Sequence, residues 1–274
     1  MSKVVSAVEY IMEDPREAMR LEAKVDAHAW VQKYLAHRVG AGAEVLSVGC
    51  GPGVILREVV ALNKSIQATG VDISEDRIRE AKQRHRGVES MNFVRGDSHA
   101  MELPSNRFDL VYSRMLLEYL RNKEQAVQEM VRVCRPGGTV LLQDLDGQLL
   151  WHYPEDAEMQ RTSEKVITAL AGTGFDPFVG RKLFSFAQRA GLEQIDVQVE
   201  SYHLIAGVVG PEILKQWELK LEIAAPQLEK VLGSKSAARE HAQRFLEYLR
   251  RPDTLTYSTV FTVSGKKPLQ YSYK

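Results

Sequence analysis

The stretch that decides the fold is Glu44-Val45-Leu46-Ser47-Val48-Gly49-Cys50-Gly51-Pro52-Gly53. Its first half is apolar and predicts a short buried strand, and its second half predicts a glycine-rich turn. A second apolar strand closes at Asp72, 19 residues after Gly53, which is the length of one turn, one helix and one strand. Glycine lets a backbone approach a ligand closely, the helix that follows offers its amide N–H groups, and the later carboxylate can hold a ribose. The pattern predicts a site for a cofactor that carries a nucleoside.

Apolar strands and helices alternate through the first half of the chain. Strands are predicted at 45–48, 66–71, 91–94, 108–113 and 139–143, and helices at 15–38, 54–62 and 123–133, with Ser74 as the N-cap of another helix. Such alternation implies a parallel sheet covered by helices on both faces. Beyond residue 147, helices are predicted at 181–190, 211–223 and 236–250, the last two separated at Pro226, and strands at 192–199 and 256–263.

The composition is ordinary for a soluble globular protein. Lys+Arg and Asp+Glu both total 36 among 274 residues, and the resulting zero net charge disfavours nucleic acid as a partner. Cys50 and Cys134 lie far apart, which argues against a disulfide scaffold or a cysteine-based zinc site. No run approaches the ~18–20 apolar residues of a membrane span, and the first five residues lack a signal-type apolar core. The sequence therefore predicts a cytoplasmic enzyme with no membrane span and no metal.

Several further motifs follow the glycine turn in order. They are Gly96-Asp97-Ser98 after the third strand, Phe108-Asp109-Leu110-Val111-Tyr112-Ser113 at the fourth, and Arg135-Pro136-Gly137-Gly138 before the fifth. Together with residues 45–53 and Asp72, they resemble the class I S-adenosylmethionine-dependent methyltransferases over about residues 10–200. Tyr10-Ile11-Met12 and Arg20-Leu21 are similar to a bacterial branch of that family that acts on small molecules and natural products.

The resemblance implies an α/β, Rossmann-like fold. Its sheet would be seven-stranded and mostly parallel with an antiparallel last strand, and a helical insertion would cover the substrate. Residues 1–42 are then expected to form an N-terminal helical segment over the cofactor site, and residues 43–202 the S-adenosylmethionine-binding core, with cap elements at 147–178. Residues 203–254 would be the helical insertion, and residues 255–274 the final strand and tail.

The cofactor that the resemblance implies is S-adenosyl-L-methionine, with S-adenosyl-L-homocysteine as the product. By the same resemblance, Asp72 binds the ribose, Asp97 recognises the adenine amine and Tyr10 covers the cofactor. The predicted cofactor-binding residues are Tyr10, Arg20, Gly49, Cys50, Gly51, Gly53, Asp72, Ile73, Arg77, Gly96, Asp97, Ser98, Ser113, Arg114 and Met115. For Arg114, an acid of the substrate or a neighbouring carboxylate of the protein is an equally open partner. Asp72 and Asp97 also have simpler interpretations, as a helix cap and a turn former.

A nicotinamide or flavin dinucleotide is the competing cofactor, because those enzymes also use a glycine turn and an acid after the second strand. Gly49-x-Gly51-x-Gly53 lacks the wider G-x-G-x-x-G spacing of the dinucleotide fingerprint. Gly96-Asp97 and Arg135-Pro136-Gly137-Gly138 add to the argument for S-adenosylmethionine.

Methyl transfer from a sulfonium needs an aligned acceptor, and it needs a base only when the acceptor loses a proton during attack. The predicted catalytic residues are Asp144 and His152, placed after strand five, and His203, placed at the exit of strand six. Ligands of parallel sheets gather at such strand ends. His152 is the preferred base because imidazole titrates near neutral pH. The nearby aromatic residues either line an acceptor pocket or form the core of the insertion; they are Trp151, Tyr153 and Trp217.

The chain contains no Asn-Pro-Pro-aromatic motif and no Pro-Cys pair, which argues against methylation of adenine or glutamine amides and of cytosine C5. The sequence therefore predicts transfer of a methyl group to an O, N or C nucleophile of a small-molecule acceptor. The alternatives are an S-adenosylmethionine-binding enzyme that catalyses a cyclisation or rearrangement, a non-catalytic cofactor-binding partner protein, and an RNA or protein methyltransferase. A homo-oligomer is left open.

Overall fold

The computed structural model describes residues 26–172 and 174–269. In this part of the chain, one sheet contains seven strands: β1 (Glu44–Val48), β2 (Gln67–Asp72), β3 (Met91–Arg95), β4 (Phe108–Arg114), β5 (Cys134–Tyr153), β6 (Glu193–Ala206) and β7 (Leu255–Lys266). Their order across the sheet is β3-β2-β1-β4-β5-β7-β6. The first five strands are parallel, and β7 runs antiparallel to both β5 and β6. The predicted Rossmann-like sheet with an antiparallel last strand is confirmed.

Helices cover both faces of the sheet. They are α1 (Ala27–Tyr34), α2 (Val54–Leu62), α3 (Glu75–Arg84), α4 (Lys123–Val133), α5 (Ala157–Ala171), α6 (Leu183–Arg189), α7 (Pro211–Leu232) and α8 (Lys235–Leu249). Ser74 caps α3 as predicted, since its hydroxyl accepts the N–H of Arg77. Of the helix predicted at 15–38, residues 26–38 are described, and they form α1 and a short 3₁₀ helix. None of the described helices is both long enough and apolar enough to cross a membrane.

The sheet is buried on both faces because consecutive strand residues point to opposite sides. Leu141 packs with Trp30 and Leu56 on the face covered by α1, α2 and α3. The next residue, Leu142, packs with Met130 on the face covered by α4 and α6. A strand buried on both faces has a continuous apolar run instead of an alternating pattern, which is why the parallel strands stand out in the sequence.

β5 is far longer than predicted and carries the sheet beyond its parallel part. It runs from Cys134 to Tyr153 instead of 139–143 and pairs with β7 as far as Tyr153. The register shifts between Asp146 and Trp151, where Gly147 has a φ of 78°. The placement of residues 144–153 after strand five was therefore wrong, because β7 supplies backbone partners beyond Gln143. β6 likewise continues to Ala206, so the expected boundary between residues 202 and 203 falls inside a strand.

Helix α5 and the two helices of the insertion, α7 and α8, pack against this extension of the sheet and form a separate core, called here the insertion core. Met159 of α5, Trp217 of α7 and Phe245 of α8 are buried there with Ile205 of β6. The predicted helix break at Pro226 was wrong, because α7 continues through it to Leu232. A proline removes one helical hydrogen bond, and the burial of Trp217 and Leu228 on either side offsets that local cost.

Candidate functional site

The glycine turn connects β1 to α2 with three residues in the left-handed region. Gly49, Gly51 and Gly53 have φ values of 71°, 52° and 78°. A Cβ on Gly53 would lie 2.6 Å from the ring of Phe93, so this glycine is needed for packing. A Cβ on Gly51 would meet no heavy atom within 4 Å among the described residues. The loop therefore offers an open backbone face at Gly51, where a ligand can approach closely.

Asp72 ties the end of β2 to this turn. Its Oδ2 accepts the N–H of Gly51 at 2.9 Å, and its Oδ1 accepts the N–H of Ser74 at 3.0 Å. A carboxylate has about four acceptor positions, so Asp72 keeps capacity for two further hydroxyl donors. The two interpretations of Asp72 are thus compatible, because it orders the turn and still presents acceptor atoms. Ile73 beside it is 44% exposed.

Asp97 lies beyond the end of β3, the strand next to β2. Its Oδ1 accepts both the backbone N–H of His99 at 2.9 Å and a hydrogen bond from the Nδ1 side of that ring at 2.7 Å. The N–H of Gly96 bonds to the carbonyl of Asp72 at 2.9 Å, which joins the two strand ends. The structure therefore brings the two predicted carboxylates to the same edge of the sheet, next to the glycine turn, and Ser98 is buried beside Asp97.

Three predicted cofactor residues close β4. Ser113 is buried, and Met115 has a φ of 52° with its N–H bonded to the carbonyl of Gln143 at 2.9 Å. Arg114 is half-buried, with its guanidinium carbon 6.0 Å from the ring centroid of Trp30 and Nη2 3.5 Å from the Tyr202 hydroxyl. The end of β4 thus lies beside the start of the glycine turn, because Ser113 pairs with Val48.

The remaining predicted cofactor residues are less informative. Arg77, in the first turn of α3, forms an ion pair of 3.8 Å with Glu80 on the same helix. Cys50 lies in the glycine turn, and burial raises the pKa of its thiol well above the ordinary value, which agrees with a small packed residue. Tyr10 and Arg20 lie outside the described residues.

Asp144 is a structural residue inside β5 and does not lie on an open surface. Its Oδ2 accepts the N–H groups of Leu116, Leu117 and Glu118 at 3.2, 2.8 and 3.3 Å. These N–H groups begin the short 3₁₀ helix Leu117–Tyr119, so the carboxylate caps that helix. Burial, with the nearby Glu118 carboxylate, raises the pKa of Asp144 well above its usual range. The carboxyl group is enclosed and already bonded, and its predicted catalytic role stays a prediction.

His152 and His203 belong to the insertion core. The Nδ1 of His152 lies 3.0 Å from the Thr256 hydroxyl, and its ring packs edge-on against Tyr248 at 5.0 Å. Burial lowers the pKa of His152 to about 4. Thr256 pairs with His152. Thr262 pairs with Gln143, which lies beside the carboxyl end of β4. These two β7 positions are about 20 Å apart at strand spacing, so the structure does not bring His152 to the glycine turn.

His203 has a φ of 51° within β6, and its ring packs against Trp217 at 5.4 Å. Its predicted position at the exit of strand six was wrong, because β6 continues past it. Trp217 is buried in the insertion core, which supports the core interpretation of that residue. Trp151 packs with Phe178 at 6.1 Å, and Tyr153 is exposed.

Two residues near the strand ends were missed in the sequence. The Nε1 of Trp30 in α1 donates to Oε1 of Gln143 at 2.7 Å, and Nε2 of Gln143 donates to the Thr262 hydroxyl at 2.7 Å. This chain of hydrogen bonds fixes α1 over β5 and β7 at the level where the parallel part of the sheet ends. Gln143 closes the strand predicted at 139–143, and its place at a strand end was the available signal. The Trp30 contact spans 113 residues, so no local pattern marks it.

Comparison with known proteins identifies the domain. Residues 46–142 match the family model described as a methyltransferase domain. Malonyl-[acyl-carrier protein] O-methyltransferase of Enterobacter lignolyticus is 35% identical over 36% of this chain and 37% of its own length. Ajmaline N-methyltransferase of Rauvolfia serpentina is 38% identical over 36% of this chain and 34% of its own length. The chain therefore spans less than half the length of these two relatives.

A solved structure shows the same fold over most of the chain. Phosphoethanolamine N-methyltransferase 2 of Haemonchus contortus, in complex with phosphomonomethylethanolamine and S-adenosylhomocysteine, superimposes with a TM-score of 0.56. The match covers 88% of this chain and 52% of that one at 17% identity. Residues 46–142 therefore match a methyltransferase domain, and the fold of the described residues is the Rossmann-like methyltransferase fold. The cofactor that a methyltransferase domain of this fold implies is S-adenosylmethionine.

Proposed function

We propose that this protein transfers the methyl group of S-adenosylmethionine to an O, N or C nucleophile of a small molecule. The observation that carries the proposal is the Asp72 bridge to Gly51, which places an acceptor-rich carboxylate beside a glycine turn with an open backbone face. Asp97 stands at the end of the neighbouring strand. Two carboxylates and a glycine turn at one sheet edge fit the hydroxyl and amine donors of an adenosine.

Each residue of this edge has a proposed role. Asp72 accepts hydrogen bonds from the ribose hydroxyls, and the exposed side chain of Ile73 packs against the adenine. Asp97 accepts a hydrogen bond from the adenine amine, and His99 holds its carboxylate in place through Nδ1. The open face at Gly51 admits the part of the ligand that links ribose and sulfur. Tyr10 is proposed to cover the cofactor and Arg20 to contact it, as the resemblance implies.

Methyl transfer mainly requires that the acceptor atom be aligned with the methyl group. The cofactor supplies an activated methyl group on a sulfonium, and the protein orients an acceptor in line with it and excludes water. Orientation of this kind lowers a barrier by ~7–11 kcal/mol. The proposal uses none of Asp144, His152 and His203 as a base, because the first is an enclosed cap and the others lie in or against the insertion core.

The two relatives support the acceptor class. Their names describe O-methylation of malonyl-[acyl-carrier protein] and N-methylation of ajmaline. The proposal therefore covers more than one acceptor atom.

The test is calorimetric titration of S-adenosylhomocysteine into wild type, Asp72→Ala and Asp76→Ala. Asp76 is the matched control, because it lies four residues away, its side chain is 80% exposed, and it forms an ion pair with Arg79 on its own helix. We expect Asp72→Ala to weaken binding at least about tenfold, because a hydrogen bond to a charged group contributes ~1.5–3 kcal/mol. Asp76→Ala should bind as wild type does. Equal affinity in all three proteins would contradict the proposed site.

A further inference from the structure

Arg114 carries a positive charge that no carboxylate of the described residues balances. Its described contacts are the Tyr202 hydroxyl at 3.5 Å and the face of Trp30 at 6.0 Å. Its Nε is enclosed and has no hydrogen-bond partner among residues 26–172 and 174–269. By contrast, Arg181 makes a two-pronged contact with Asp146 at 2.8 and 2.5 Å. A guanidinium stays charged in proteins, and an enclosed donor without a partner is costly. Arg114 therefore lacks the counter-charge that its surroundings call for.

The position of Arg114 is where ligands of this fold class gather. It is the last residue of β4, and it pairs with Gln143 on β5. On the other side, its neighbour Ser113 pairs with Val48, so Arg114 stands alongside the start of the glycine turn. The carboxyl ends of parallel strands form the ligand crevice of open α/β sheets. An anion bound to Arg114 would lie next to the proposed cofactor site.

The surroundings of the guanidinium indicate what kind of anion fits. Trp30 and Tyr202 place an aromatic ring near the charge from α1 and from β6. The indole is fixed by its hydrogen bond to Gln143 at 2.7 Å. A single guanidinium balances a single negative charge, and its planar fork matches a carboxylate with two parallel hydrogen bonds. The nearby cation Lys33 is already paired with Glu200.

We propose that Arg114, aided by the Tyr202 hydroxyl, binds a carboxylate of the methyl acceptor, so that the enzyme selects acidic aromatic or apolar acceptors. This inference rests on the proposed methyl transfer and narrows its substrate class. The enclosed Nε and a terminal nitrogen donate to the two carboxylate oxygens, and the aromatic walls hold the apolar body. Arg114 would then set the orientation of the acceptor toward the methyl group and take no part in proton transfer.

The probes are 2-naphthoate and its uncharged match, 2-naphthamide, titrated into protein saturated with S-adenosylhomocysteine. We expect wild type to bind naphthoate at least about tenfold more tightly than naphthamide, because a charge-assisted hydrogen bond contributes that much. Arg114→Gln should abolish this preference, and Arg114→Lys should retain part of it, since lysine keeps the charge without the fork. Thermal unfolding checks that both variants fold. A wild type that binds the two probes equally, or binds neither, would overturn the assignment.

A second titration separates the acceptor from the cofactor's own carboxylate. S-adenosylhomocysteine carries an amino-acid carboxylate, and 5′-methylthioadenosine lacks it. We expect Arg114→Gln to bind both compounds as wild type does. Weaker binding of S-adenosylhomocysteine alone, by about tenfold, would assign Arg114 to the cofactor and overturn this inference. A wild type that fails to bind S-adenosylhomocysteine would instead overturn the proposed function, so the two failures are distinguishable.

Discussion

The carboxylate of Asp72 accepts the backbone N–H of Gly51 at 2.9 Å, and this bond holds the glycine turn against the end of β2. The turn and the carboxylate therefore form one hydrogen-bonded unit. Because the second oxygen of Asp72 accepts the N–H of Ser74, the same side chain also fixes the approach to α3. Preorganisation of this kind lowers the ordering cost of ligand binding.

The open face at Gly51 gives the first prediction. Gly51→Ala adds a methyl group where the structure leaves space, so we expect the protein to fold with a loss of about 1–2 kcal/mol from the left-handed backbone. The methyl group should nevertheless obstruct the ligand and weaken S-adenosylhomocysteine binding. Gly87→Ala is the matched control, since Gly87 has a φ of 85° and equally open surroundings away from the turn. Calorimetry that finds the same affinity in both variants would contradict the proposed approach of the ligand.

The raised pKa of Asp144 predicts that the free energy of unfolding depends on pH. Its pKa is raised in the folded protein by burial and by Glu118. A carboxyl group with a raised folded pKa stabilises the fold fully below the unfolded pKa of about 3.9, and this contribution is lost as pH rises through the folded pKa. We expect Asp144→Asn, which stays neutral and keeps an acceptor oxygen, to remove that loss. Urea unfolding from about pH 5 to pH 9 measures it. Parallel profiles for the two proteins would contradict the raised pKa.

The lowered pKa of His152 predicts the opposite change of the unfolding free energy with pH. Burial lowers its pKa to about 4. A histidine with a depressed folded pKa stabilises the fold above the unfolded pKa of about 6.5, and the contribution disappears as pH falls toward the folded value. Between about pH 7 and pH 4.5, wild type should lose about 2 kcal/mol more unfolding free energy than His152→Phe. His28→Gln serves as the control, because that ring is 71% exposed. S-adenosylhomocysteine affinity should be unchanged in His152→Phe.

Lys267 predicts a large stability effect far from the site. It is buried, and its ammonium donates to the carbonyls of Val131 and Cys134 at 2.8 and 2.9 Å and to the Asn106 side chain at 2.7 Å. These carbonyls end α4, where a cation is favourable. Lys267→Met should cost about 3 kcal/mol, because several buried acceptors lose their donor. The neighbouring exposed Lys266, changed to Met, should cost less than about 1 kcal/mol. Similar losses in the two variants would contradict this account.

The strands and turns of the parallel part of the sheet could be predicted from the sequence. The continuation of β5 beyond residue 143 could not. The strand at 45–48, the turn behind it and the Ser74 cap are local features, and each follows from the order of apolar, glycine and capping residues. The fifth strand was predicted to end at residue 143, whereas β5 continues through Asp144 to Tyr153. The partners of Asp144, the N–H groups of residues 116–118, lie 26–28 positions away in the chain.

The same limit applies to the surroundings of the predicted histidines. His152 lies within β5, and its half-buried ring packs against Tyr248 and Phe245 of α8, which are almost 100 residues away in the sequence. Arg114 was correctly placed at a strand end. The sequence could not show which groups surround its guanidinium, because Trp30 and Tyr202 are remote from it in the chain. Contacts between distant segments carry this information, and local patterns do not.

The most direct measurement is a crystal structure of the protein with S-adenosylhomocysteine. We expect an adenosine bound across the ends of β1, β2 and β3. Its ribose hydroxyls should donate hydrogen bonds to Asp72, and its adenine amine should donate one to Asp97. The amino-acid part should run past Gly51 toward the end of β4. A ligand bound elsewhere, or a dinucleotide found in this crevice, would contradict the proposed site.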